Sequence, residues 1–124
     1  MTLPLHGRWI LIAGNDAMIA LNLQLEFEKA GAHVTAAFSL GQAMTLLDQQ
    51  GWAGAVLDCE LGGEDCTPFC KWFLERQIPF IICSGSDYVG VPCSHSIQLV
   101  KPVTAQELVN SMIGLVTPAP LPHS

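Results

Sequence analysis

Short apolar runs alternate with stretches of helical grammar along nearly the whole chain, and that alternation leaves few folds open. Trp9-Ile-Leu-Ile-Ala13 is apolar throughout and ends at Gly14, as a strand buried on both faces does. Asp16 stands where it caps a helix over about Ala17 to Ala30. Ile19, Leu23 and Phe27 share one face of that helix, and Gly31 is its stop. His33–Phe38 reads as a second strand. Ser39 and Gln42 have the spacing of a capping box, so a helix starts near Leu40, carries Leu40, Met44 and Leu47, and ends near Gly51. Gly54–Asp58 is a third strand with Asp58 at its carboxyl end. Thr67-Pro68 has the grammar of a cap and a first helical residue. A third helix then runs to about Gln77 with Phe69, Trp72 and Phe73 facing inward. Pro79–Cys83 and Ser96–Val100 supply the fourth and fifth strands. The connection between them is short and holds Gly85, Gly90 and Pro92, so a helix there is short or missing. Thr104 and Glu107 form a second capping box and open a last helix to about Val116.

Strands alternating with helices predict a parallel sheet covered on both faces, and right-handed crossovers make it doubly wound. The 124 residues suit one domain, expected over 1–117, with a Pro-rich tail over 118–124. Half of the residues are apolar and 13% charged, which excludes intrinsic disorder. No stretch reads as a membrane span, and Met1–Arg8 has no apolar core of a signal peptide, so the expected compartment is cytoplasmic. A net charge of −6 argues against nucleic acid, which needs a basic footprint. Five Cys without a secretory signal read as free thiols, with Cys59, Cys70 and Cys83 as small buried hydrophobes. Cys66 and Cys70 are four apart, but no His stands at a metal-ligand spacing. Gly62-Gly63 is too short to cradle a nucleotide phosphate, which argues against a third reading, a small flavodoxin-like enzyme or cofactor binder. Packing accounts for Trp9, Trp52 and Trp72, and solvated charge for Glu64 and Asp65.

In an open parallel sheet the chemistry sits at the carboxyl ends of the strands. Those ends offer Gly14, Asn15 and Asp16 from the first strand, Asp58 from the third, Ser84 from the fourth and Lys101 from the fifth. A carboxylate can act as a nucleophile toward phosphorus. A hydroxyl and an ammonium are donors that a phosphorylated Asp would use, and a dication held by oxygen ligands would neutralise the transferring group.

The segments Leu57-Asp-Cys-Glu-Leu-Gly-Gly-Glu-Asp65, Pro79-Phe-Ile-Ile-Cys-Ser-Gly85 and Leu99-Val-Lys-Pro-Val103, in this order and spacing, resemble a response-regulator receiver domain of two-component signalling. The resemblance runs from about Arg8 to Val116. It implies a flavodoxin-like α/β fold, a five-stranded sheet with the second strand at one edge. It also implies that Asp58 is the phosphoacceptor, Ser84 the hydroxyl that follows the phosphate, Lys101 the lysine beside it and Pro102 a cis-proline candidate. The partners it implies are a sensor histidine kinase or phosphotransfer protein and a downstream protein target. The chain would accept phosphoryl and signal by contact rather than work as an enzyme.

The sequence departs from that family at two places. The acid pair that holds Mg²⁺ after the first strand is replaced by Gly14 and Asn15, which leaves Asn15, Asp16, Asp58 and Glu60 as the metal-ligand candidates. Fewer carboxylates mean weaker Mg²⁺ binding. Three residues before Lys101, where the family has a switch aromatic, stands Gln98. These departures support an alternative, a degenerate receiver that binds partners without phosphorylation. Leu108, Met112 and Leu115 form an apolar stripe on the last helix that serves either the core or a homodimer.

Overall fold

Five short strands pair in parallel: β1 (Trp9–Ala13), β2 (His33–Ala37), β3 (Gly54–Asp58), β4 (Phe80–Ser84) and β5 (Ile97–Val100). The computed structural model describes residues 3–14, 17–49, 51–58, 67–84, 97–100 and 104–116, with the backbone alone at 40, 58, 67, 83–84 and 97–100. The strand order is β2-β1-β3-β4-β5. The chain steps outward from β1 to β2, returns past β1 to β3, and continues in the opposite direction, so the topology switches between β1 and β3.

Strand alternation divides the core into two layers. Leu11, Ala13, Ala55, Leu57, Phe80 and Ile82 face α2 (Leu40–Leu46) and α3 (Thr67–Glu75), where Ala43, Phe69, Cys70 and Phe73 are fully buried. Ile10, Ile12, Val56 and Ile81 face α1 (Ala17–Lys29) and α4 (Ala105–Val116), against Leu23, Phe27, Leu108 and Met112. β1, in the middle, has four fully buried residues out of five, as its unbroken apolar run requires.

The helix ends follow the local grammar. At α2 the Gln42 N–H donates to Ser39 Oγ (3.0 Å), and the Phe38 N–H donates to Gln42 Oε1 (2.8 Å). At α4 the Glu107 N–H donates to Thr104 Oγ1 (3.0 Å), and the Thr104 N–H donates to Glu107 Oε1 (3.3 Å). Both capping boxes satisfy N–H groups that a helix start leaves unpaired. α1 closes with the Ala32 N–H on Phe27 O and the Gly31 N–H on Glu28 O, with Gly31 at φ 99°. α3 closes in the same pattern on Phe73 and Leu74, but here Gln77 takes the left-handed position at φ 57°. Trp52 fills a packing role: its Nε1–H donates to Leu46 O and Leu47 O, and its ring meets Trp9 edge-on.

Several expectations need correction. Ile19 is half exposed rather than inward. The row Ile19–Leu23–Phe27 rotates about 40° per step around the helix, so its first member leaves the buried face. α3 ends at Glu75, two residues early, because the left-handed cap at Gln77 precedes Ile78-Pro79. Trp72 is only partly buried, with the Arg76 guanidinium 4.0 Å from the ring centroid. α2 stops at Leu46 and tightens into a 3-10 turn over Leu47–Gln49. Leu108 and Met112 are core, and Leu115 packs partly buried on the same layer, so the stripe on α4 is not a free dimer face. Cys70 is disulfide-bonded rather than a free thiol. The expected short helix between β4 and β5, the Asp16 cap and the Pro-rich tail lie outside the described residues. Among the described residues, no helix is long and apolar enough to cross a membrane.

Candidate functional site

The carboxyl edge of the sheet is set by its register. Ala13 pairs with Leu57, Asp58 with Cys83, and Ser84 with Val100. Gly14 and Asp58 therefore follow directly on paired residues at the switch between β1 and β3. Asp58 and Ser84 end adjacent strands, and β5 ends at Val100, the residue before Lys101. Three neighbouring strands thus deliver Asp58, Ser84 and the chain leading into Lys101 to one edge. Asp58 is held there by its own strand: Leu57 and Val56 anchor opposite layers of the core.

Gly14 is buried, and its N–H donates to Ala37 O at 3.0 Å, carrying the β1–β2 ladder one residue past β1. At that position the resemblance calls for an acid, and a glycine brings no side-chain oxygen. Gln98 sits within β5, paired with Ile82 of β4. Asn15, Asp16, Glu60, Lys101 and Pro102 lie outside the described residues, as do Glu64 and Asp65. Among the described residues, no three His, Cys, Asp or Glu gather to hold a metal ion. Gly14 contributes no side-chain oxygen, and the side chain of Asp58 lies, like the loop residues named above, outside the described part of the structure.

One core residue departs from the sequence reading in its chemistry, though not in its burial. Cys70 lies in the first turns of α3, fully buried in the same layer as Leu57, and it is part of a disulfide. The buried-hydrophobe reading holds for its position, and the bond itself had no signal in the sequence.

A parallel five-stranded sheet in this order, with helices on both faces and an Asp closing its third strand, defines a flavodoxin-like α/β protein. Within that class, its structure is that of a response-regulator receiver domain, the fold of two-component signalling. A receiver domain of a Francisella response regulator superposes with a TM-score of 0.76 at 25% identity, covering 89% of this chain and 97% of that one. A response regulator receiver protein of Sinorhizobium medicae gives 0.76 at 25% identity, over 90% and 96% of the two chains. A response regulator of Thermotoga maritima, solved in complex with Mg²⁺ and BeF, shares the fold at 16% identity with a TM-score of 0.73, over 87% and 98%. No family model matches the sequence, and no curated protein matches it.

Proposed function

We infer that the chain works as a receiver in a phosphorelay, accepting phosphoryl on Asp58 and signalling by contact with another protein. The observation that carries this reading is the convergence of Asp58, Ser84 and the end of β5 on one sheet edge beside the topological switch. In the reaction, an Asp58 carboxylate oxygen attacks the phosphorus of a phosphohistidine donor. The P–O bond forms as the P–N bond breaks, and the imidazole leaves with a proton. The Ser84 hydroxyl and the Lys101 ammonium donate to the oxygens of the new acyl phosphate. A bound Mg²⁺, held by Asp58 with Asn15, Asp16 or Glu60, would supply charge neutralisation. The partners are a sensor histidine kinase or phosphotransfer protein and a downstream protein. Asp58 acts as a group acceptor and not as a turnover catalyst.

Incubation with acetyl phosphate and Mg²⁺, followed by intact-mass and peptide analysis, tests this. One phosphoryl adduct is expected on Asp58, absent in Asp58→Asn. A folded wild-type protein that takes up none from acetyl phosphate or from a cognate kinase would sink the reading.

The buried Gly14 favours a second reading. With no acid there and its N–H committed to Ala37 O, the site suits a receiver held in one state that binds its partner unmodified. In that case Asp58→Asn leaves partner binding and signalling unchanged.

A further inference from the structure

α1 is apolar on two faces. Ala20, Leu23 and Phe27 are buried in the layer that the helix shares with α4. Met18, Leu21 and Leu25 lie almost diametrically opposite, within about 60° of one another at ~100° per residue, and they are 75%, 51% and 50% exposed. A surface helix normally turns a polar face to water, as α4 does with Gln106, Glu107 and Asn110. α1 instead carries no charged residue from Ala17 through Leu25. Four of the six large apolar side chains exposed among the described residues belong to it, so this surface is gathered on one helix rather than scattered.

The spacing of the outer face selects its occupant. Met18, Leu21, Leu25 and Glu28 follow one another at steps of three, four and three residues, the spacing of a seam between two helices. That spacing reads the same in both directions. We propose that the outer face of α1 is a self-association surface, on which α1 of a second copy packs antiparallel about a two-fold axis. The axis passes between Leu21 and Leu25. It brings Leu21 of each copy onto Leu25 of the other, and Met18 of each onto Glu28 of the other. The ends then match in charge. α1 has no acid in its first turn, where a helix favours negative charge, and the exposed Glu28 of the other copy arrives beside it. The Gln24 side-chain amide donates to Glu28 Oε2 at 3.3 Å, and Lys29 is paired with Glu26 of its own helix at 2.9 Å. The rest of the seam is uncharged, which a chain of net charge −6 needs wherever it meets its own copy. Covering a helix of 13 residues on both copies removes on the order of 1,000 Å² of surface, the low end for a specific contact, so the dimer is weak and concentration-dependent. The proposal stands independently of the Asp58 chemistry.

Sedimentation equilibrium of the full chain, from about 1 µM to about 1 mM, tests this. A reversible monomer–dimer equilibrium is expected, with a Kd of about 10 µM or weaker for so small a contact. Met18 is the most exposed of the three, so either charge there should leave the melting temperature near that of the wild type. Met18→Lys faces Glu28 of the other copy and should tighten the dimer about fivefold at low salt, and Met18→Glu should weaken it by as much. Leu25→Glu places an acid inside the apolar seam and should weaken it at least about tenfold. Phe38→Gln, at an exposed apolar position outside α1, should leave it unchanged. A monomer at every concentration overturns the proposal. So does a dimer that Leu25→Glu leaves intact, which puts the contact elsewhere. A Met18→Lys dimer no tighter than the wild type overturns the antiparallel pairing. Growth beyond the dimer overturns the two-fold contact, which closes on itself.

Discussion

Among single positions, Gly14 bears most directly on the proposed chemistry: it is buried and directly follows Ala13, which pairs with Leu57. A carboxylate placed there would add an oxygen ligand at the sheet edge where β3 ends in Asp58. Gly14→Asp is expected to tighten Mg²⁺ binding and speed phosphoryl uptake. Without metal it should lower the melting temperature, because an acid is placed at a buried position beside Asp58. Melts with and without Mg²⁺ read both effects. Backbone conformation sets two other positions. A Cβ on Gly31 would lie 2.9 Å from His6 Cα, at a φ of 99° that L side chains rarely adopt. Gly31→Ala should therefore cost about 3 kcal/mol in urea unfolding. Gln77, at φ 57°, holds the same cap position with a side chain, so Gln77→Gly should stabilise by about 0.5 kcal/mol.

At the scale of elements, local hydrogen bonds decide where helices begin. α2 has only seven residues and no acid in its first turn, so its capping box is its main local support. Ser39→Ala is expected to cost about 1 kcal/mol, measured by thermal or urea unfolding. The two capping boxes were legible because they depend on residues three apart in sequence. The face of α1 was less legible. Met18, Ile19, Leu21 and Leu25 are all half or more exposed, though each is apolar. An apolar pattern shows that a helix is amphipathic, but which apolar residues reach the sheet depends on how the helix is rotated against it. α3 shows the same limit: Phe69 and Phe73 are core, whereas Trp72, between them in sequence, lies at the margin under Arg76.

Across the whole molecule, the N-terminal turn is part of the fold. Leu5 is fully buried in the layer beneath α1 and α4. The Leu5 N–H donates to Ala30 O at 2.8 Å, and the Gly7 N–H to Gly31 O at 3.2 Å, so the turn is pinned to the end of α1. Leu5→Ala should destabilise by about 3 kcal/mol, seen as a shift in the urea midpoint, even though Leu5 precedes the first strand. Gly54 shows the same long-range closeness. A Cβ there would meet Met112 Sδ of α4 at 2.5 Å, so the start of β3 and the last helix are fitted to each other.

The sequence alone determined the element order, the two capping boxes, the glycine stop of α1 and the arrival of Asp58 at a strand end. Each rests on periodicity or on contacts within a few residues, which a linear pattern records. Tertiary structure decided what depends on distant chain: that Gly14 is buried with its N–H on Ala37 O, and that Ile19 faces outward while Leu5 faces inward. It also decided that α4 spends its apolar stripe on the core, and that Cys70, buried in the opposite layer, is disulfide-bonded. Burial and cross-links are properties of surfaces brought together by the sheet, and no local pattern encodes which surfaces meet.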